Sequence, residues 1–153
     1  MKDWIIRKAF KNFGKVKGLD VYRSGQPDLF RVKLLHKLYK FKTVVNLAYS
    51  PDYDPQDDPE AKYFKQHDVT YLYYRWGAGG PPTPEAVPEV VRLMINMKAP
   101  LWIHCEGGKD RTGGLVAYLQ RTCGSPWDDV VEQWCLYGIP APEWIEFVVK
   151  LLP

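Results

Sequence analysis

The order of apolar segments predicts an α/β protein: a three-layer α/β/α sandwich whose four- or five-stranded, largely parallel central sheet is flanked by helices. Two features carry this expectation. Short segments rich in β-branched or aromatic residues (20–23, 43–48, 70–75 and 101–103) alternate with longer stretches whose apolar residues recur at helical spacing. Thirteen prolines and twelve glycines stand mostly as breakers between these segments, with no repeat or low-complexity tract. At 153 residues, 46% hydrophobic and 25% charged, the chain reads as one domain, 1–153, because two would each be too small to bury a good core.

The formal charge of +3 hides an uneven distribution. Residues 1–42 hold twelve Lys and Arg against three Asp and Glu, whereas residues 43–153 hold nine against fifteen. A basic segment, 1–19, therefore precedes a core, 20–153. In the segment Lys2, Arg7, Lys8, Lys11, Lys15 and Lys17 surround Ile6, Phe10 and Phe13, a spacing that predicts a basic amphipathic helix. Three readings compete for it: docking on the domain's own surface, contact with an anionic substrate or partner, and anchoring at a membrane surface.

Asp20-Val21-Tyr22-Arg23 predicts a strand and Ser24-Gly25-Gln26-Pro27 a turn. Residues 28–39 predict a helix with Phe30, Leu34, Leu35 and Leu38 as its apolar stripe. The strand at 43–48 leads into a polar loop, 49–59, carrying Asp52, Asp54, Asp57 and Asp58, and Pro59 opens a short helix capped by Asp58. After the strand at 70–75 comes a Gly/Pro loop, 76–82. Thr83 then caps a helix begun by Pro84, with Val87, Val90, Val91, Met94 and Ile95 facing the core. Pro100 precedes the last strand, and two further helices are expected, one from Pro126 capped by Ser125 and one from Pro142 through Leu152.

The last strand runs into His104-Cys105-Glu106-Gly107-Gly108-Lys109-Asp110-Arg111-Thr112-Gly113 and then an apolar helix. A glycine-containing loop between a strand and a helix N-terminus presents several backbone N–H groups to one point, where the helix dipole adds positive potential. Such a loop binds an oxyanion. Arg111, six residues after Cys105, can fold over the cavity as a bidentate fork. The same environment favours the Cys105 thiolate as nucleophile. Gly107 and Gly108 permit close backbone approach, Thr112 can hydrogen-bond the Cys105 sulfur, and His104 reads as a neutral buried residue that organises the loop. Two-step phosphoryl transfer through a phosphocysteine uses all these parts, with Arg111 and the loop amides supplying the positive charge.

The run His104-Cys105-x5-Arg111-Thr112-Gly113 resembles the signature of the cysteine-dependent protein tyrosine phosphatase superfamily. The Gly108-Lys109-Asp110-Arg111-Thr112-Gly113 version is similar to the compact dual-specificity and inositol-phosphate or phosphoinositide branches, including plant-and-fungal atypical and bacterial types. Tyr22-Arg23-Ser24-Gly25-Gln26-Pro27, Val44-Val45-Asn46-Leu47 and residues 100–104 extend the likeness to roughly residues 20–138. The resemblance implies phosphate-monoester hydrolysis of a phosphorylated protein or an inositol phosphate, with Glu106, Gly107, Gly108, Lys109, Arg111 and Arg23 contacting substrate. A rhodanese-like sulfurtransferase is disfavoured, because its usual loop is shorter. A phosphoryl-binding module with slow turnover is the alternative from another class.

One part of the pattern is missing. Many members place a general-acid Asp beside Trp-Pro on a separate loop, but residues 76–82 hold no carboxylate. Asp110 is the first choice of acid, the Asp52-to-Asp58 loop the second, and a salt bridge is the competing role for Asp110. Arg23 reads either as approaching substrate or as a structural ion pair; Arg75 is a weaker substrate-binding candidate. Cys123 and Cys135 read as small core residues or as a protective disulfide partner for Cys105. Three cysteines suit a reducing, cytoplasmic setting, and no metal-ligand spacing, cofactor motif or nucleic-acid surface is apparent. No apolar run approaches the roughly 20 residues of a membrane span.

Overall fold

The computed structural model describes residues 3–77 and 79–153. Lys2 of the predicted basic helix and Ala78 of the Gly/Pro loop lie outside them. Among the described residues the order is α1 (Asp3–Ala9), β1 (Gly14–Lys15), β2 (Val21–Ser24), α2 (Leu29–Tyr39), β3 (Thr43–Asn46), α3 (Pro59–Gln66), β4 (Thr70–Tyr73), α4 (Ala86–Ile95), β5 (Leu101–His104), α5 (Asp110–Thr122), α6 (Trp127–Cys135) and α7 (Pro142–Leu151). The strands form one sheet in the order β1-β2-β5-β3-β4, parallel except for the short antiparallel β1.

Strands β3 and β5 are buried throughout, as befits parallel strands covered on both faces. Their side chains alternate between two cores. Val44 and Trp102, paired in register, point toward Phe13, Val32, Leu35, Phe41 and Phe64 on one side. Val45 and Ile103 point toward α4–α7, where Val87, Val90, Leu115, Val130, Trp134, Trp144 and Val148 pack. The layers are therefore helices, sheet, helices. The C-terminal ends of β2, β5 and β3 lie side by side, with β5 in the middle, the position from which an open parallel sheet presents a ligand loop.

Several local expectations are corrected. Helix α2 buries Leu35 as expected, but its companion is Val32, while Phe30 and Leu38 are 75% and 61% exposed. Both stripes fit a 3.6-residue period, and the sheet selects the one about a third of a turn away. Ile95, at the last turn of α4, is exposed, and that helix starts at Ala86 with Thr83 contributing only a carbonyl to the Ala86 N–H. Pro126, not Ser125, is the N-cap residue of α6. Cys123 and Cys135 are exposed free thiols, so neither is a core residue. The basic helix ends at Ala9, because Lys11 and Asn12 adopt positive φ and turn the chain into β1. Ile6 and Phe10 pack against the Phe13 cluster, so this segment docks on the domain itself.

Candidate active site

Cys105 follows the central strand directly and is 2% exposed. The loop behind it is held by its carbonyls. Gln26 N–H donates to the Glu106 carbonyl at 3.1 Å, Asn12 Nδ2 to the Gly107 carbonyl at 3.0 Å, and Arg23 Nη2 to the Gly108 carbonyl at 2.8 Å. In a trans peptide the carbonyl and the following N–H point in opposite directions. Three carbonyls turned toward the N-terminal segment therefore turn the N–H groups of Gly107, Gly108 and Lys109 the other way. The Gly108 N–H shows where that is, since it donates to Cys105 Sγ at 3.2 Å. Immediately after, α5 opens at Asp110 and adds the positive end of a 13-residue helix.

Gly108 is required twice over. Its φ is +70°, and a Cβ there would sit 2.4 Å from the Gly25 nitrogen. Gly25 is equally constrained, with a Cβ position 2.8 Å from the Glu106 carbonyl oxygen. The Ser24–Gln26 turn and the Cys105 loop thus touch backbone to backbone.

Arg111 is 7% exposed, and its Nη1 donates to the carbonyls of Leu47 at 3.2 Å and Trp76 at 3.1 Å. The loop after β3 and the loop after β4 together fix this guanidinium at the strand ends. Glu106, whose side chain is 79% exposed, brings a carboxylate to 3.9 Å from Arg111 Nη2. Residues 76–82 contribute a carbonyl that aims an arginine where the sequence pattern looks for an acid.

Arg23 lies behind the loop and not in its opening. Its guanidinium is buried, stacks 4.1 Å from the Tyr137 ring, and holds Gly108. Burial lowers its pKa from the ordinary guanidinium range to about 10, against the opposing pull of Tyr137 and Cys105. Among the described residues it forms no ion pair, and its hydrogen bond goes to the Gly108 carbonyl at the back of the loop. Arg75 is likewise turned away, toward the carbonyls of Ser50 and Pro51.

His104 is fully buried on the opposite face of the sheet from Cys105. Its Nε2 meets Glu60 Oε1 at 2.8 Å, so its partner is helix α3 and not the loop. Glu60 Oε2 lies 3.1 Å from Gln26 Nε2 and 3.2 Å from the Tyr71 hydroxyl, which also reaches Asp58. Burial, and then the two carboxylates, push the Tyr71 phenol far above its ordinary range. Thr112 Oγ1 is buried without a hydrogen-bond partner, so the expected bond to the Cys105 sulfur is not formed. Asp110 Oδ1 accepts the Ala141 N–H at 2.9 Å, tying α5 to the residue before α7, and forms no salt bridge among the described residues. Lys109 is exposed and lays its stem along Gly138, while its carbonyl accepts Trp134 Nε1 at 3.0 Å.

Asn12, Gln26, Glu60 and Tyr137 were not singled out by sequence reasoning. They lie outside the loop and contribute through contacts far apart in the chain, 95 residues in the case of Asn12 and Gly107.

Comparison with known proteins agrees with this architecture. The inositol diphosphatase DSP5 of Arabidopsis thaliana is 30% identical over 135 residues, which cover 84% of this chain and 58% of that protein. The probable tyrosine-protein phosphatase DG1060 of Dictyostelium discoideum is 31% identical over 115 residues, 72% of this chain and 66% of that one. The chain spans between half and about three fifths of the length of the plant relatives it matches. In three dimensions the core catalytic domain of the PP-IP phosphatase SIW14 from S. cerevisiae superposes with a TM-score of 0.77 at 20% identity, covering 91% of this chain and 84% of that domain. Tk-PTP in its active form gives 0.67 at 19% identity, covering 86% and 90%. These two likenesses show the α/β fold. The model of the "Tyrosine phosphatase family" matches residues 9–139, from the last residue of α1 past α6 and across the whole of the Cys105 loop, and the chain belongs to that family.

Proposed function

We propose that this protein is a cysteine-dependent phosphatase in which Cys105 is the nucleophile. The observation that carries the reading is the outward rotation of the carbonyls of Glu106, Gly107 and Gly108, which leaves inward amides around the Cys105 sulfur beside an anchored Arg111. In the first step Sγ attacks phosphorus, the S–P bond forms, and the P–O bond breaks with its electron pair on the leaving oxygen. The amides and Arg111 stabilise the charge spread over the equatorial oxygens of the transferring group. In the second step water attacks phosphorus, the S–P bond breaks with its pair returning to sulfur, and phosphate and a proton are released.

Asp110 is the proposed proton donor, acting through Oδ2 while Oδ1 holds Ala141. Thr112, with its hydroxyl buried beside the loop, is proposed to meet the sulfur when it becomes the leaving group. Exposed Lys109 is proposed to meet further phosphoryl groups of the substrate. Arg23, Asn12 and Gln26 shape the loop, and His104 with Glu60 supports its strand.

A second reading concerns the substrate. Residues 76–82 hold no carboxylate, so protonation of a strongly basic alkoxide rests on Asp110 alone, one of whose oxygens is already engaged by the Ala141 N–H. A phosphoanhydride needs less, because its leaving phosphate monoester titrates at about 6. This favours an inositol diphosphate, the substrate class in the names of the plant relatives, over a phosphoserine protein; an aryl phosphate is also a good leaving group.

Hydrolysis of p-nitrophenyl phosphate by the full chain tests the enzyme. Cys105→Ser is expected to lower kcat by about 10³-fold or more while phosphate still binds; equal activity in the variant overturns the reading. A panel of phosphopeptides, inositol polyphosphates and inositol diphosphates at fixed pH and salt ranks the substrate classes. Asp110→Asn should slow alkyl phosphates more than diphosphates, and equal slowing removes Asp110 as the acid.

A further inference from the structure

Behind the Cys105 loop, at the β1 edge of the sheet, the N-terminal segment and α6 enclose a groove of about 520 Å³. Three cations line it, Arg7, Lys15 and Lys17, with no carboxylate among the lining residues. Its apolar wall is aromatic: Tyr22 and Tyr39 pack 4.8 Å apart over Phe13, and Lys15 Nζ stands 5.6 Å from the Tyr22 ring. The lysines have acidic neighbours outside the groove, Asp20 at 3.7 Å from Lys15 and Asp129 at 3.8 Å from Lys17. Both pairs are exposed and long, so a doubly charged phosphoryl group competes with them readily.

Arg7 has no acidic partner among the described residues. It donates to the Leu136 carbonyl and stacks 5.0 Å from the Tyr137 ring, the same ring that Arg23 approaches at 4.1 Å. Two guanidinium groups thus share one tyrosine with no carboxylate between them. The positive charge of Arg7 acts on Arg23, and an anion in the groove would relieve that repulsion.

We propose that this groove is a second binding site, separate from the Cys105 cavity, for a small ring compound carrying two or more phosphoryl groups. The ring lies against Tyr22 and Tyr39, and the phosphoryl groups reach Arg7, Lys15 and Lys17. The site stands next to the loop it flanks: Tyr137 joins it to Arg23, and Arg23 holds the Gly108 carbonyl. Inositol polyphosphates and nucleoside polyphosphates share this chemistry.

Calorimetric titration of the full chain with myo-inositol hexakisphosphate, and separately with ATP, at 0.15 M salt decides the question and names the source. Arg111→Ala, which removes the clamp of the Cys105 cavity, is expected to keep the groove site. Lys15→Gln combined with Lys17→Gln is expected to weaken that site by about tenfold or more. The lysine pair leaves p-nitrophenyl phosphate hydrolysis unchanged. Binding that disappears in Arg111→Ala and ignores the lysine pair overturns the proposal, as does the absence of binding by either ligand up to 1 mM, roughly the weak end of specific affinity. An equal loss in a control pair on α3, Lys62→Gln with Lys65→Gln, also overturns it, by showing general charge attraction. These outcomes are read from binding alone and stand whether or not Cys105 turns over substrate.

Discussion

Replacing Arg23 with Met should separate stability from activity. The lowering of its pKa to about 10 corresponds to a net penalty of about 3 kcal/mol on the charged guanidinium, burial outweighing the pull of Tyr137 and Cys105. Opposing this are a charged hydrogen bond to the Gly108 carbonyl, worth about 1.5–3 kcal/mol, and the stack on Tyr137, worth about 0.5–2 kcal/mol. The two sides nearly cancel. Met keeps an unbranched, flexible apolar stem without the charge, so the unfolding free energy should move by no more than about 1 kcal/mol. Because the folded pKa lies below the unfolded one, the cost is constant well below about pH 10 and recedes only as pH rises through that value. The change in stability should therefore be the same at pH 6 and pH 8. Activity should behave differently, since the freed Gly108 carbonyl no longer fixes the Lys109 amide toward the sulfur. Loss of one aligned amide costs about 10²-fold in kcat. Urea unfolding and p-nitrophenyl phosphate hydrolysis on the same preparations check both halves. Stability lower by about 3 kcal/mol with kcat unchanged would show that Arg23 serves the core and not the loop.

Two further outcomes follow from packing and titration. Gly113→Ala places a Cβ 1.9 Å from Trp134 Nε1, so α6 must move and the bond from that nitrogen to the Lys109 carbonyl is lost. A destabilisation of about 1–3 kcal/mol is expected in chemical denaturation, and Trp134→Leu in the same chain should recover part of it. His36 has its pKa lowered from 6.5, first by burial and then by the charges of His67 and Lys40. The unfolded chain then binds the proton more readily, so stability present above pH 6.5 declines as pH falls through the lower folded value. His36→Gln should flatten the decline between pH 7 and pH 5, and identical slopes in the two proteins would exclude His36 as a contributor.

The helix–strand order and the Cys105–Arg111 pair were legible because each is written locally. β-branched runs, isolated prolines and a motif of ten residues need no knowledge of distant segments. Asp58 capping α3 at the Glu60 N–H was legible for the same reason. The supports of the site were not, since their signal is a pairing between segments. Nothing beside Asn12 announces that Gly107 will be its partner, and Glu60 is marked only as the second residue of a helix until β5 brings His104 to it. Arg23 shows how register decides a role. It pairs with Ile103, so it points into the same layer as Ile103 and Cys105 and ends behind the loop beside Tyr137. The α2 stripe was only partly right for a related reason: two overlapping faces share Leu35 and one period, and only the sheet could choose Val32 over Phe30 and Leu38 as its companion.

The basic first quarter of the chain is consequently more than a charge that attracts anions, and truncation can divide its two jobs. Residues 3–9 contribute Ile6 to the edge of a core and Arg7 to the groove. Residues 10–17 contribute Phe13, 3% exposed among Tyr22, Tyr39 and Phe41, the Lys11 carbonyl that receives the Gly25 N–H, and Asn12 on Gly107. Removing residues 1–9 should leave p-nitrophenyl phosphate hydrolysis within about threefold of the full chain, because every bond to the loop carbonyls survives. Removing residues 1–17 should cost about 3–5 kcal/mol for the Phe13 site alone and at the same time release the Gly107 carbonyl, so activity on small and large substrates falls together. Were the segment only an electrostatic lure, the longer deletion would spare the small aryl phosphate and slow polyanionic substrates alone. Thermal unfolding and the two substrate classes, measured on both truncations, distinguish a scaffold that shapes the phosphate loop from a lure that merely faces it.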